Sequence, residues 1–357
     1  MKVYIKFLTI TFYNSFLYVI AVMFSLVFIL NLLSEIDFFK NINTSISQII
    51  FLASLNSPSM IFEMFPFIFL ITAQVFFIKF FNNNELEIFK YSGLKNSKIL
   101  LIIGIVSIIT GVLITTLFYN LSSNFKNIYL EIKSKYTVDG KYLAVITKNG
   151  LWIKDRIGKK SYIINSSEIE NNFLTNTFIT EFDEDYNVTR NIKSNKIDIS
   201  NNEWLIYDLK LYENNEAKNL NLLKLNTNFD YHKIQSLYSS LSSFDLFQLF
   251  QLRENYKKLK YSLIEIDLQL IKLLTFPIYL FLMALFSSLI MLRTKRMGST
   301  TVKISLGLFF SVIIYYVNNF FYVMGSTERI SVLTAVFIPI FILTVVNTLM
   351  MKNIDEK

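Results

Sequence analysis

The sequence predicts a membrane α-helical bundle of six transmembrane helices that carries an inserted all-β, jelly-roll-like domain. Three observations predict it. Six apolar segments each reach the roughly 20 residues that a helix needs to cross a bilayer core. Between Leu121 and Leu268 the long apolar pattern gives way to short strand-like runs divided by turn residues. Charged residues make up only 17% of the 357-residue chain against 53% hydrophobic ones, where a soluble domain carries about 25% charge.

The first span is expected from Phe7 to Leu33. Lys2 and Lys6 precede it as in a secretory leader, but the apolar run is too long for one and no A-x-A site follows, so it reads as an uncleaved helix. The second is expected from Met60 to Phe80, with Pro58 just ahead and Pro66 inside, and the third from Ile99 to Leu121. The fourth runs from Leu268 to Leu292 with Pro277, the fifth from Ile304 to Met324, and the sixth from Val332 to Met351 with Pro339. Three parts follow: 1–122 with spans one to three, 123–262 with the β domain and its helical connectors, and 263–357 with spans four to six.

Charge sets the expected orientation. Lys2, Lys6, Lys79, Lys90, Lys95, Lys98, Arg293, Lys295, Arg296, Lys303, Lys352 and Lys357 fall on one side, while the short loops of the other side hold only Lys40 and Arg329. The positive-inside rule then puts both termini in the cytoplasm and the large insert outside it, in a double-membrane bacterium the periplasm. The net charge of +8 sits at helix ends and forms no basic stripe with interleaved aromatics, so it does not point to nucleic acid.

Within the insert, Trp204–Tyr212 alternates apolar and polar residues, the mark of a half-buried strand. Similar runs occur at Tyr142–Lys148, Gly150–Lys154, Lys160–Ile164, Thr177–Phe182 and Lys196–Ile199. Turns are expected at Asn149-Gly150, at Asn165-Ser166-Ser167, at Asp183-Glu184-Asp185 and at Asn201-Asn202. Many short strands at regular spacing predict an antiparallel sandwich or jelly roll. Two connectors read as helices: Asn124–Lys135, which prolongs the third span, and Ser243–Leu259, with Ser242 or Ser243 as its N-cap.

The residues carry no enzyme signature. No G-x-x-x-x-G-K-[ST] phosphate cradle is present, so ATP hydrolysis by this chain is not expected. There is no cysteine, which excludes disulfides and thiolate chemistry, and the single histidine, His232, reads as a surface residue of a linker. No metal site and no cofactor are expected. One segment between the second and third spans is more specific. Asn84 is expected to cap a short helix with Glu85 and Glu87 in its first turn, Leu86 and Phe89 at helical spacing, and Gly93 as a left-handed C-cap. Such a helix either lies along the bilayer or presents an acid-tipped apolar face that docks a cytoplasmic partner. In the second span, Glu63 is either an interfacial residue or, if deep, a functional candidate. Asn318 and Asn319 in the fifth span are expected to bond across helices, with packing ahead of substrate contact.

At this point the chain resembles the LptF/LptG (YjgP/YjgQ) permease family of the lipopolysaccharide exporter. The likeness covers nearly the whole length. It rests on three spans, a β insert and three further spans, on Glu85-Leu86 with Gly93 seven residues on, on Pro58, Pro66, Pro277 and Tyr315, and on Ser243-Phe-Asp-Leu246. Gly150-Leu-Trp-Ile-Lys-Asp155 is similar to the LptG branch rather than to LptF. The resemblance implies a noncatalytic permease subunit of an ABC-type exporter. It would pair with an LptF-like permease subunit, bind an LptB-like ATPase dimer that uses the ATP, draw lipopolysaccharide from the inner membrane, and pass it to LptC/LptA-like jelly-roll proteins by strand addition. It further implies that Glu85, Leu86, Phe89 and Gly93 form the ATPase-coupling helix. The first and fifth spans would line the lipid cavity. Lys40, Lys272 and Arg329 are the basic residues left there, either for lipid head groups or as interfacial anchors that snorkel, with Glu63, Asn318 and Asn319 as further cavity candidates. Where such chains commonly place a lysine at the end of the first span, this one reads Leu33-Ser34-Glu35-Ile36-Asp37.

Two other classes compete. A membrane-anchored periplasmic sensor would not need six spans and would need a cytoplasmic signalling domain. An FtsX- or MacB-type mechanotransmitting subunit typically has four spans.

Overall fold

The computed structural model describes residues 3–40, 42, 44–134, 136, 143–147, 150–170, 172–213, 216–231, 234, 241–258, 262–294, 299–352 and 354–355. His232 and Asn149, singled out above, lie outside them. The chain divides into two compact units, Met1–Tyr129 with Asp267–Lys357, and Leu130–Ile266.

The first unit is helical. Its elements are α1 (Val3–Phe38), α2 (Ile46–Asn82), α3 (Glu85–Tyr91), α4 (Asn96–Leu113), a π-helical turn (Ile114–Phe118) and α5 (Tyr119–Ser134), which runs into the second unit. After the insert come α7 (Ile264–Arg293), α8 (Thr300–Ser326) and α9 (Val332–Met351). Among the described residues six helices are long and apolar enough to cross a membrane, α4 to α5 counting as one. The second span begins well before the expected Met60, and Pro58 lies inside α2 rather than ahead of it. The extra turns are held by polar groups turned toward α1: Asn31 Nδ2 donates to Ala53 O at 2.8 Å, and Asn56 Nδ2 donates to Asn31 Oδ1 at 3.0 Å.

Lipid is as apolar as a leucine side chain, so helices in it associate through close packing and hydrogen bonds rather than through hydrophobic burial. Each span here has such a tie. Tyr13 bonds Thr110 at 2.9 Å, Ser287 Oγ donates to Leu70 O at 2.7 Å, Gln74 Nε2 donates to Lys303 O at 3.2 Å, and Asn347 Nδ2 donates to Leu282 O at 3.0 Å. Small residues permit the approach. A Cβ on Gly111 would stand 2.9 Å from Pro277 Cα, and one on Gly104 would stand 2.5 Å from the Phe281 ring.

Among its described residues the second unit holds seven strands, β1 (Leu143–Thr147), β2 (Gly150–Ile157), β3 (Lys160–Glu170), β4 (Phe173–Phe182), β5 (Val188–Asp198), β6 (Glu203–Glu213) and β7 (Glu216–Asn226), followed by α6 (Leu246–Lys258). Each strand pairs antiparallel with the next, in one open sheet of order β1 to β7. The inserted antiparallel β domain is therefore as expected, in the form of one open sheet. Its connections are all to the next neighbour, without the crossover of a Greek key. Two local expectations fail, and one strand was not foreseen. Asn165–Ser167 is no turn but the middle of β3, because partner strands satisfy its polar side chains: Asn165 Nδ2 donates to Leu151 O, and Ser166 Oγ donates to Thr175 O. β7 was missed, since its residues are exposed almost throughout and show little alternation. The cap of α6 is Asp245, not Ser242 or Ser243. Asp245 Oδ1 accepts from Gln248 N at 2.8 Å while Gln248 Oε1 accepts from Asp245 N at 2.9 Å, a reciprocal capping box.

The sheet bends enough to bury its own core. Asn176 in β4 and Asp208 in β6 have φ of 48° and 45°, a conformation that Asn and Asp tolerate better than most residues. At each, the buried face skips a position: Leu174 gives way to Thr177 and Ile179, and Trp204 and Ile206 to Leu209 and Leu211. Irregularities of this kind bend a strand and increase its twist. Asn228, just past β7, donates from N and Nδ2 to the Asp155 carboxylate in β2 at 3.0 and 2.8 Å, so far ends of the sheet meet. Inside lie Leu151, Ile164, Ile192, Trp204, Ile206 and Phe229, with Trp204 Nε1 donating to Phe229 O at 2.7 Å.

Candidate functional site

Two places in the helical unit gather the residues singled out from the sequence. The first is α3 with its flanks. Asn84 has φ 54° and makes no side-chain cap. An N-cap side chain needs extended backbone to reach the first-turn amides, and the left-handed geometry of Asn84 forbids it. Its carbonyl instead accepts from Glu87 N and Ile88 N, and Asn83 Nδ2 donates to Glu85 Oε1 at 3.0 Å. The other end is as expected. Gly93 has φ 79°, Gly93 N donates to Lys90 O at 2.9 Å, and Leu94 N donates to Phe89 O at 2.9 Å, a Schellman motif.

A seven-residue helix is not stable alone, so α3 depends on what it buries. Leu86 is 1% exposed, and the Phe89 ring lies 5.6 Å from Phe80 and 5.8 Å from Phe7. These two residues therefore hold α3 to the bundle, and the apolar face expected to point outward points inward. The exposed side carries Glu87, Ile88 and Tyr91, the last 91% exposed. Helical spacing carried this signal: positions 86 and 89 share one face, and 87, 88 and 91 share the other. Glu85 stands between them, half-buried, and its Oε2 is buried without a hydrogen-bond partner among the described residues. Lys79, Lys90, Lys95 and Lys98 surround the segment in sequence. The exposed acid Glu87 beside the exposed Ile88–Tyr91 pair can take a protein surface offering a donor and an apolar recess.

The second place is the opposite end of the helices. Glu63 on α2 is exposed and lies within electrostatic reach of both Lys126 on α5 and Lys272 on α7. The half-buried Lys272 places Nζ 5.6 Å from the ring centre of Tyr322 on α8. The sequence reading named Glu63 and Lys272 but missed Lys126, which looked like part of a connector. It also missed a buried pair: Tyr129 OH donates to Glu35 Oε1 at 2.7 Å, with Glu35 1% exposed. Its signal was the spacing of Phe16, Val19, Met23, Val27, Asn31 and Glu35, one buried stripe of α1. Lys40 and Arg329 are exposed in turns beyond α1 and α8. Asn318 is half-buried and Asn319 exposed on α8. A carboxylate within reach of two ammonium groups marks a place where another anionic group can be exchanged for it. Among the described residues no cluster of three His, Asp or Glu could hold a metal.

Comparison with known proteins places this layout. A sequence model for the family described as lipopolysaccharide export system permease LptF/LptG matches residues 6–353, nearly the whole chain. No protein of curated function matches it at a significant level.

Proposed function

The chain belongs to the lipopolysaccharide export system permease LptF/LptG family, and from that premise we propose that it is the LptG-type half of an ATP-driven exporter. A permease of this family is a membrane component of lipopolysaccharide export and not itself an enzyme. In the proposed complex it pairs with an LptF-like chain. An LptB-like ATPase dimer holds α3 from the cytoplasm and uses the ATP. The β unit stands in the periplasm and hands lipid to LptC/LptA-like jelly-roll proteins. The lysine-rich loops on the α3 side support that orientation.

The single observation that carries the reading is the joining of the family match to a helix built for docking. α3 is pinned by Leu86 and Phe89, exposes Glu87, Ile88 and Tyr91, and keeps one Glu85 oxygen buried without a bond among the described residues. Basic side chains near Glu63, namely Lys126 and Lys272, with Lys40 and Arg329 at the same helix ends, would meet lipid phosphates. Affinity purification of the chain from its native membranes tests this. An LptB-like ATPase and lipopolysaccharide should co-purify, and Glu85→Ala should lose the ATPase. A Glu85→Ala chain that still binds and stimulates the ATPase would remove α3 from the coupling role.

A further inference from the structure

Past α9 the chain turns back onto the end of the helical unit that carries α3. Ile354 is 5% exposed and sits in the same apolar cluster as Leu86, Ile99 and Leu100, against which Phe89 and Leu94 also pack. Its carbonyl accepts from Asn96 Nδ2 at 2.8 Å. Asp355 then takes both polar groups of Ser97: Ser97 N donates to Oδ1 at 2.9 Å and Ser97 Oγ donates to Oδ2 at 2.7 Å. On the other flank Arg293, the last residue of α7, donates to Met350 O from Nε at 3.1 Å and Nη2 at 2.9 Å, and from Nη2 to Lys352 O at 3.4 Å.

The physical need for Asp355 is plain. α4 opens after Lys95, whose side chain makes no cap. The first amides of a helix have no partner within it, and a carboxylate there satisfies one and suits the positive end of the helix dipole. Asp355 supplies from far along the chain what position 95 lacks. Only Leu94 and Lys95 separate the Gly93 cap of α3 from Asn96, the first residue of α4. Fixing the start of α4 therefore fixes the end of α3.

We propose that Lys352, Ile354 and Asp355 form a strap that sets the pitch of α3 and joins it to α4, α7 and α9, with Asp355 as its positioning residue. The inference rests on the reading of α3 as the ATPase-docking helix. When the ATPase pulls on α3, the strap makes the ends of three spans move with it.

The test uses the whole complex, purified with its partner permease and ATPase, and compares Asp355→Ala, Asp355→Asn and Ser97→Ala with Glu85→Ala. Asp355→Ala should leave the ATPase bound. It should speed hydrogen exchange at residues 85–94 roughly two- to thirtyfold, the range a lost cap carries, with residues 60–75 unchanged. ATP turnover should fall several-fold at unchanged KM for ATP. Asp355→Asn, which keeps one acceptor, should fall between wild type and Asp355→Ala, and Ser97→Ala should add nothing to Asp355→Ala in the double variant. Wild-type exchange at 85–94 and wild-type turnover in Asp355→Ala overturn the strap, even where Glu85→Ala releases the ATPase. A Glu85→Ala chain that stays bound and fully active sinks the docking reading instead, and the exchange data then judge the strap alone.

Discussion

Glu181 shows at the level of one side chain how the β unit spends polar groups inside itself. It is 1% exposed, accepts from Lys160 Nζ at 2.8 Å, from Arg190 Nε at 2.7 Å and from Thr189 Oγ1 at 3.1 Å. Burial alone would raise its carboxyl, but the bonds and charges of Lys160 and Arg190 outweigh burial and hold it below the usual carboxylate range. The stabilisation is therefore complete at neutral pH and is lost as pH falls through the lowered folded value, beneath the ordinary carboxylate range. Glu181→Gln should destabilise the β unit by about 1–2 kcal/mol at pH 7, less than a fully buried pair because Lys160 and Arg190 reach solvent, and the gap from wild type should close in acid. Both tryptophans of the chain, Trp152 and Trp204, lie in this unit, so tryptophan fluorescence during urea unfolding reads it apart from the helices. An equal gap at pH 7 and pH 3 would contradict the ion-pair account. Gly93 gives a second residue-scale outcome. A Cβ there meets nothing within 4 Å, so only its φ of 79° resists substitution. Gly93→Ala should loosen α3 by about 1 kcal/mol, read as faster hydrogen exchange confined to residues 85–94.

At the scale of elements, the two faces of α3 separate packing from recognition. Leu86→Ala should unmoor the helix and lower stability by about 2–4 kcal/mol, because it empties a site 1% exposed. Tyr91→Ala, at a side chain 91% exposed, should leave thermal unfolding of the chain unchanged and weaken ATPase capture at least several-fold in a pull-down titration. Equal loss of stability in both would refute the division of faces. The elements were legible in the sequence to the degree that one force wrote them. Spans announced themselves, because lipid requires an unbroken apolar run, and Val332–Met351 matches its expected bounds. Strands with one buried face, such as β6, were equally plain. The solvent-exposed β7 had no such pattern to read. The start of α2 was hidden because polar residues interrupt its apolar run, and those early turns are tied to α1 in part through Asn31 and Asn56. Asn165–Ser167 looked like a turn because only pairing with Leu151 and Thr175 tells a strand's polar middle from a loop. The candidate sites were legible as residue types. That Leu86 faces inward, and that Lys126 joins Glu63 and Lys272, depends on contacts between helices that no single segment encodes.

For the helical unit as a whole, the decisive fact is an imbalance of burial. In their most apolar stretches α2, α4 with α5, and α7 are 61%, 61% and 78% buried, while α1, α8 and α9 reach only 28%, 17% and 22%. The last three keep large apolar and aromatic residues outward: Leu26 and Ile29 on α1, Tyr315, Tyr316 and Phe320 on α8, Phe341 on α9. Lipid alone can cover leucine and phenylalanine. Adjacent tyrosines in the middle of a span are a different matter, since each hydroxyl needs a partner that acyl chains do not supply. The proposed pairing with a second permease, leaving a lipid-filled chamber between the two, meets that need on α1 and α8 while α9 faces the bilayer. The chain contains no cysteine, so single-cysteine variants can be read without background. Ile29→Cys and Tyr316→Cys should cross-link to a second permease chain in native membranes, with yield falling when lipopolysaccharide fills the chamber. Phe341→Cys should react with membrane-soluble maleimides and cross-link to nothing. Leu289→Cys, fully buried in the apolar cluster that holds Leu86, should do neither. If Ile29→Cys and Tyr316→Cys behave like Phe341→Cys, the outward faces of α1 and α8 belong to the bilayer, and a two-permease chamber bounded by them does not exist.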